Sequence, residues 1–267
     1  MMRKPAVAGQ FYSADRSHLL SEVSSLIVER NQKTKAFGLL APHAGYVYSG
    51  AVAGAVFGAV VIPDTVVIMG PNHHGLGGPA SLFPVGEWLT PLGSVPVESG
   101  LSKMILENSR IISSDSSAHR FEHSIEVQIP FLQFLRPEVK IVPICLSLMD
   151  YDSCRALGTA LAKSIKEFGK DVLMVASTDM THYEPDAVAK KMDSMALKEV
   201  LELNPEGLYS VVRSKGISMC GIIPSTVMLV AALALGAASC ELVRYATSGD
   251  VSGDKRQVVG YAGVMVS

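Results

Sequence analysis

The chain has 267 residues, of which 48% are hydrophobic and 18% are charged, and its formal net charge is −2. This composition indicates a folded protein with a large buried interior, which we expect to be one domain over residues 1–267, and it excludes a disordered chain. Lysine and arginine are scattered along the chain, so the sequence has no basic patch for a nucleic-acid backbone, and nucleic acid is excluded as a partner.

The first half of the sequence predicts alternating helices and strands. A face of Leu, Val and Ile residues follows the candidate N-cap Asp15 in "DRSHLLSEVSSLIVERN", which predicts a surface helix. The stretch "AFGLLAP" is typical of a buried strand, "SGAVAGAVFGAVV" of a helix of small residues, and "TVVIMG" of a central strand. Between Leu76 and Val97, a Gly- and Pro-rich connection that contains Trp88 predicts an excursion from the sheet with an antiparallel hairpin.

The second half continues the alternation. The predicted helices are Ser99 to Asn108, about His123 to Leu135, "DSCRALGTALAKSIKEF", about Pro185 to Leu203, Pro205 to Arg213, and one that starts at about Pro224. The predicted strands are "VKIVPICL", "DVLMVAS", "CELVRYATS" and "QVVGYAGVMVS", with a turn at Gly249 to Lys255 before the last. This order favours an α/β fold with a mainly parallel or mixed central sheet flanked by helices on both faces.

One uncharged segment raises the question of a membrane span. Ile217 to Cys240 has no charged residue and is long enough to cross a bilayer. Its Pro224 and its Gly-Ala-Ala-Ser exit favour a buried helix of an α/β core instead, so no membrane association is expected. The four cysteines have no CxxC spacing and "MMRKPAVAGQFY" lacks the apolar core of a signal peptide. We therefore expect reduced thiols and a cytoplasmic protein.

Three predicted strands end in the same kind of polar residue. "AFGLLAP" leads into His43, "TVVIMG" into His73 and His74, and "DVLMVAS" into Asp179 and His182. Ligands of open α/β sheets gather beyond the carboxyl ends of the strands, so these side chains are expected to converge if the strands are neighbours. Imidazoles and a carboxylate together suit Fe(II), Zn or Cu, although a single His in such a place is more often an ordinary polar residue. Since successive side chains of an extended chain point oppositely, one histidine of the doublet is expected to be a ligand and the other to support it.

Two further segments contain residues of types that bind metals or transfer protons. Cys220 precedes the apolar helix, where the backbone field favours the thiolate that binds metal; an inert buried thiol is the alternative, and it is the one we expect for the other three cysteines. His123 and Glu126 are three residues apart in "FEHSIEVQIPFL", on one face of the predicted helix. They either orient a ligand and shuttle protons or form an ordinary surface capping pair.

Five motifs, in their order along the chain, resemble the Memo family: "APHAGYVYSG", "GPNHHG", "EHSIEVQIPFL", "STDMTHY" and "CGIIP". The early "AGQFYSAD" and the closing "GYAGVMV" extend the resemblance over essentially the whole chain. The resemblance implies a fold similar to the class III extradiol dioxygenases, which are non-haem iron enzymes. It also implies a metal site at His43, His73 and Cys220, with Asp179 and His182 nearby, and it selects His73 from the histidine doublet.

The resemblance has consequences for cofactor and partners. Extradiol enzymes use two histidines and a carboxylate, whereas Cys220 takes the third position here, so Fe(II) is the first expectation and Cu or Zn are the alternatives. Ile223 stands where some Memo-like sequences have a histidine, which makes that side of the pocket more apolar. The implied partners are a radical S-adenosylmethionine protein and an AMMECR-type protein, besides a small-molecule or peptide ligand in the pocket.

Three functions are compatible with these residues. In the first, a dioxygenase-like oxidoreductase, a metal held by His43, His73 and Cys220 activates a small ligand; His182 is the general acid/base, Asp179 orients it, and His123 assists in catalysis. In the second, the same pocket binds a peptide or phosphorylated ligand and the protein is a non-catalytic adaptor. In the third, a redox-inert ion with a bound water makes the protein a hydrolase.

Overall fold

The computed structural model describes residues 1–267. Its strands are β1 (Met2–Arg3), β2 (Gly38–Ala41), β3 (Thr65–Pro71), β4 (Ala80–Leu82), β5 (Glu87–Thr90), β6 (Gly93–Pro96), β7 (Ser113–Ser114), β8 (Lys140–Leu146), β9 (Val172–Ser177), β10 (His182–Glu184), β11 (Cys240–Thr247) and β12 (Val258–Val266). Its helices are α1 (Arg16–Leu26), α2 (Tyr46–Gly58), α3 (Ser99–Asn108), α4 (Ile129–Leu135), α5 (Tyr151–Phe168), α6 (Asp186–Leu201), α7 (Pro205–Lys215), α8 (Ile222–Leu235) and α9 (Gly249–Ser252). Two 3-10 helices lie at Ser117–His119 and Glu126–Gln128.

Nine strands form the central sheet. Its order is β10, β12, β2, β9, β3, β8, β4 and β7, and β11 pairs with β12 outside this path. The centre is parallel, from β2 through β9 and β3 to β8, while β12 and β4 join it antiparallel on either side. A second sheet of three strands contains β1, β5 and β6, and its β5–β6 hairpin with the fully buried Trp88 confirms the predicted excursion.

Both faces of the central sheet are covered. Along β3, Val67 and Met69 join one core cluster while Val66 and Ile68 join the other, because successive side chains of a strand point to opposite faces. Helices α3, α5, α6, α7 and α8 contribute to the first cluster, and α1, α2 and α4 contribute to the second. The predicted arrangement of helices on both faces is therefore confirmed, and it explains why the central strands read as continuous apolar runs.

The helix predicted from about His123 is wrong at its beginning. Residues before Glu126 are irregular, a single 3-10 turn follows, and α4 begins only at Ile129. Pro130 lies in the first turn of α4, where its missing N–H has no partner to lose. A helix that started at His123 would carry Pro130 in its interior, where the ring clashes with the preceding turn. The turn predicted at Gly249 to Lys255 differs in its first part, because α9 occupies Gly249–Ser252.

The long uncharged segment becomes a helix of the core. Its helical part is α8, of 14 residues, in which Val227, Met228 and Leu229 have no exposed surface. Nowhere in the chain is a helix both long enough and apolar enough to cross a bilayer.

Strand β10, which the sequence did not predict, carries an unusual residue. Tyr183 has a φ of 62° and is 72% exposed, and the pairing of β10 with β12 shifts register between His182 and Glu184. A left-handed backbone is unfavourable for an aromatic residue with a Cβ, whereas glycine adopts it freely. The Tyr183 side chain is therefore mostly exposed to solvent, and its backbone is strained.

Replacing Tyr183 with glycine is expected to raise the free energy of unfolding by about 1 kcal/mol, because the strain disappears and little buried surface is lost. Chemical denaturation measures this difference. The matched control is Tyr48→Gly: this tyrosine is 41% exposed but lies within α2, so the same replacement is expected to destabilise by about 1 kcal/mol. Equal losses in the two variants would contradict the assignment of strain to Tyr183.

Candidate functional site

Three neighbouring parallel strands direct polar residues to one edge of the sheet. Strand β9 lies between β2 and β3, and all three run in the same direction. His43, His73 and Asp179 each lie two residues beyond the last residue of one of these strands. Because parallel strands end at a common edge, the three residues reach the same crevice. The predicted convergence of these strand ends is what the structure shows.

Three imidazoles meet in this crevice. His43, His73 and His123 each offer a ring nitrogen, and these nitrogens all lie within 4.8 Å of one another. The rings of His73 and His123 are stacked with centroids 4.6 Å apart, and His43 meets both edge-on at 5.3 and 5.5 Å. The tightest group of ligand atoms thus contains His123, to which the sequence assigned only an orienting or proton-transfer role.

A serine determines which nitrogen of His43 faces the crevice. The Ser177 hydroxyl donates to the backbone oxygen of Ser124 at 2.6 Å and accepts from the Gln128 amide at 2.8 Å. A hydroxyl has a single proton, so the remaining contact, from His43 Nδ1 at 2.9 Å, is one in which the imidazole donates. His43 is therefore protonated at Nδ1, and its Nε2 keeps a lone pair.

A buried carboxylate determines which nitrogen of His73 faces the crevice. Glu122 is fully buried, and its two oxygens accept from His73 Nδ1 at 2.9 Å and from the His73 backbone N–H at 2.7 Å. The Ser124 backbone N–H adds a third bond at 2.9 Å. Burial pushes the pKa of Glu122 upward, but the donors around it outweigh burial and hold the pKa well below its usual value. His73 consequently donates from Nδ1, and its Nε2 is free.

Two rings of the cluster, those of His43 and His123, resist protonation. Burial, followed by repulsion from His123 and His73, lowers the pKa of His43 well below its usual value. Burial also lowers the pKa of His123 to about 4, although Glu122, 3.6 Å from its Nδ1, acts in the opposite direction. Neutral imidazole is the form that binds a metal ion. These two rings are neutral at physiological pH.

Cys220 lies beside the cluster, as expected from its place before α8. Its Sγ is 3.3 Å from His43 Nε2 and accepts from the Asp179 backbone N–H at 3.2 Å. Of the two alternatives for this cysteine, the metal-free protein favours the protonated thiol over the thiolate. Burial, and then the nearby Asp179 carboxylate, raise the pKa of the thiol, and these effects outweigh the backbone donors. A bound cation would reverse this balance.

Asp179 and His182 occupy different positions from those expected of an orienting pair. The Asp179 carboxylate accepts from the His43 backbone N–H at 2.8 Å, so it fixes the turn that carries His43. Burial raises the pKa of Asp179 to about 6 against this hydrogen bond. His182 donates from Nδ1 to the backbone oxygen of Ser218 at 2.9 Å. The backbone oxygen of Ser218 therefore orients the ring of His182, in place of the Asp179 carboxylate that the sequence analysis expected in this role.

The two residues whose roles were left open now have places. His74 is exposed and meets the ring of Phe121 edge-on at 6.2 Å, and it is not one of the three clustered imidazoles. Glu126 is fully buried and is not a surface cap. It pairs with Arg3 and accepts from Tyr12 and from the backbone of the N-terminal segment.

Sequence reasoning missed Glu122, Ser177 and Gln128. All three lie inside stretches already singled out, Glu122 and Gln128 in "FEHSIEVQIPFL" and Ser177 at the end of "DVLMVAS". The available signal was the position of Glu122 directly beside a histidine and of Ser177 at the carboxyl end of a central strand. Glu122 bonds to His73, Ser177 to His43, and Gln128 to Ser177. These hydrogen bonds join segments far apart in the chain, which spacing alone does not reveal.

Comparison with known proteins identifies the family. The family model for Memo, described as Memo-like protein, matches residues 3–265. The chain belongs to the Memo family. A MEMO1 family protein of Pyrobaculum aerophilum is 41% identical over 276 residues, covering 99% of this chain and 98% of the relative. Another from Methanosarcina mazei is 42% identical over 267 residues, covering 99% of each.

A solved structure supports the fold. An uncharacterized protein from Escherichia coli K12 matches with a TM-score of 0.58 and 14% identity, covering 86% of this chain and 99% of that chain. At this identity the match concerns fold alone. The predicted α/β architecture, a mixed central sheet with helices on both faces, is confirmed.

The donor set of this Memo protein fits a transition-metal ion. Two imidazoles have Nδ1 committed to Ser177 and Glu122, which leaves Nε2 available, and such supporting partners are what metal-binding histidines usually have. Atoms bound to one ion at about 2.0–2.3 Å lie roughly 3 to 4 Å apart. The 3.3 Å between Cys220 Sγ and His43 Nε2 falls in that range.

Replacing Ser177 with alanine is expected to weaken metal binding by about tenfold or more, because His43 loses the acceptor that fixes its tautomer. Competition titration against a chromogenic chelator measures the affinity. Ser164→Ala is the matched control: Ser164 is also fully buried, but its hydroxyl donates within α5 to Ala160. Equal affinity in the Ser177 variant and the wild type would contradict the role of the hydroxyl.

The metal-free protein is expected to lose stability as the pH falls from 7.5 to 5. His119 and His123 have pKa values of about 4 in the folded protein because both are buried, whereas in the unfolded chain they titrate near 6.5. Between these values only the unfolded state gains the proton, which costs about 2 kcal/mol per group at pH 5. Asp179, with its raised pKa, takes up a proton in the folded state and offsets part of this loss.

Urea unfolding at the two pH values tests this expectation. His123→Asn should reduce the pH dependence, and His18→Asn, at an exposed position of α1, should leave it unchanged. A free energy of unfolding that stays constant or rises down to pH 5 would exclude buried neutral histidines.

Proposed function

We propose that this Memo-family protein binds a transition-metal ion among His43, His73, His123 and Cys220 and supports redox chemistry on a small molecule. The observation that carries the proposal is the group of three ring nitrogens within 4.8 Å, two of them with the tautomer that leaves Nε2 free. The pair His43 and Cys220 adds a sulfur donor at a spacing suited to a shared ion.

The donors are compatible with Fe, Cu and Zn. Imidazoles suit Fe, Cu and Zn, and a thiolate adds a soft donor that stabilises Cu and Zn as readily as Fe(II). Fe(II) is the first candidate because the sequence motifs resemble a family for which a fold similar to the extradiol dioxygenases is implied. When bound, such an ion supplies electron transfer and open coordination positions for a small ligand. Loss of the thiol proton on binding is the step that Cys220 itself must undergo.

The surrounding residues are suited to proton transfer. Asp179 is buried with a pKa of about 6, so it changes protonation near physiological pH. His182 donates from Nδ1 to Ser218 and presents Nε2 as a base at the partly exposed rim. We assign proton uptake to His182 and the positioning of His43 to Asp179. The radical S-adenosylmethionine and AMMECR-type partners stay predictions.

One observation also favours the hydrolase alternative. Three imidazoles are the ligand set of some catalytic zinc sites, in which a bound water completes the coordination. The two functions differ in the role of Cys220. The hydrolase needs only the imidazoles, whereas the redox proposal includes the sulfur as a ligand.

Metal analysis of anaerobically purified protein tests the proposal. Wild type is expected to contain close to one equivalent of metal, and His73→Ala and Cys220→Ala to contain much less, because each loses a donor. The matched controls are His18→Ala and Cys240→Ala, which replace the same residue types outside the crevice and should keep the metal. Retention of metal in Cys220→Ala together with its loss in His73→Ala would favour the hydrolase.

Substrate oxidation is measured on the same samples. Oxygen uptake with a panel of catechols after reconstitution with Fe(II) is expected for the wild type and not for His73→Ala. Full metal occupancy without uptake on any oxidisable substrate would contradict the redox assignment but not the metal site.

A further inference from the structure

A large groove lies beside the imidazole cluster and includes His123 in its lining. Its volume is about 980 Å³, near the upper end of the roughly 300–1,000 Å³ typical of small-molecule sites. The N-terminal residues 1–7 form one wall and residues 116–123 contribute to the other. His123 belongs both to this lining and to the cluster, so the groove borders the proposed metal site at this residue.

The groove is cationic although the whole chain has a net charge of −2. Its fifteen lining residues include no aspartate or glutamate, and they include Lys4 and Arg120, both exposed. Arg3 also lines the groove, but it is paired with buried Glu126. We call this site the cationic groove.

The acidic residues nearest in sequence do not neutralise the cationic groove. Glu122 and Glu126 are fully buried, and their oxygens bind His73, Ser124 and the N-terminal segment. Asp115 accepts from the hydroxyl and backbone N–H of Ser117. The positive charges therefore face the groove without a carboxylate in its lining.

An aromatic surface lies beside these charges. Phe121 is 50% exposed, and the Arg120 guanidinium lies 5.0 Å from the centre of its ring. Phe11 also lines the groove and lies against His123, with ring centroids 4.8 Å apart. Arginine stacked on an aromatic ring is held in place while its N–H groups remain free for a carboxylate or phosphate.

The histidine doublet connects the two sites. His73 turns into the imidazole cluster, and His74 lines the groove next to Phe121. Both residues lie in the bend that follows β3, so one short segment contributes to both places. His74 is thereby a further polar group at the groove, in addition to Lys4 and Arg120.

We propose that the cationic groove binds a small organic anion, whose carboxylate or phosphate lies against Arg120 and Lys4 and whose apolar body lies along Phe121 and Phe11 towards His123. The inference rests on the proposed function in one respect, because the organic anion is taken as the substrate class of the proposed metal site. The presence of the groove and its charge are independent of any metal.

Calorimetric titration of metal-free protein with benzoate, phenyl phosphate and benzamide tests the proposal. Benzamide has the ring of benzoate without its charge. The two anions are expected to bind at least about tenfold more tightly than benzamide, and the double variant Lys4→Gln, Arg120→Gln should lose about that factor for the anions only. Lys103→Gln, Arg155→Gln, which removes two exposed cations from α3 and α5, is the matched control and should bind all three probes as the wild type does.

The result that overturns the proposal is equal affinity for benzoate, phenyl phosphate and benzamide, or unchanged anion affinity in the groove variant. A preference between the two anions identifies the head group as carboxylate or phosphate. His73→Ala separates this test from that of the metal site: it should lose metal and keep anion binding. Anion binding in a protein that takes up no metal would refute the proposed function and support the groove.

Discussion

Two buried carboxylates, four residues apart, organise the site. Glu122 holds His73 by its ring and its backbone, and Glu126 holds the N-terminal segment through Arg3, Tyr12 and two backbone N–H groups. Burying a carboxylate is unfavourable unless its oxygens are fully hydrogen-bonded, and here each has several donors. Because both belong to the short segment that carries His123, that segment is fixed between the cluster and one wall of the groove.

The parallel sheet supplies the other half of this constraint. Strand ends bring His43, His73 and Asp179 to one edge, and the hydroxyl of Ser177 sets the tautomer of His43. The cluster is thereby prepared for a cation before any cation binds. His43 and His73 are oriented by hydrogen bonds on Nδ1, and burial keeps His43 and His123 neutral. Such preparation lowers the ordering cost of binding. The Cys220 thiol, whose pKa is raised by burial, lies 3.3 Å from Nε2 of His43.

Much of the fold was predictable because apolar runs and short polar connections alternate along the chain. The strand ends at His43 and His73 were predictable for the same reason, since position at the carboxyl end of a strand is a local property. His123 was not, because it lies in an irregular segment that helical spacing misread, and only Pro130 pointed to the later start of α4. Glu126 looked like a surface cap, and its burial depends on Arg3, which is more than one hundred residues away in sequence. The protonation state of Cys220 stayed open in the sequence, because it depends on the opposing effects of burial and of the backbone field in the folded protein.

The most direct measurement of the central claim is the tautomeric state of the histidines in the metal-free protein, read from long-range ¹H–¹⁵N correlation spectra of ¹⁵N-labelled histidine. The account predicts that His43 and His73 are protonated at Nδ1 and carry the lone pair on Nε2, and that Ser177→Ala alters the spectrum of His43 alone of the two. An Nε2-protonated tautomer at either ring would show that Ser177 or Glu122 does not direct these nitrogens towards a common point.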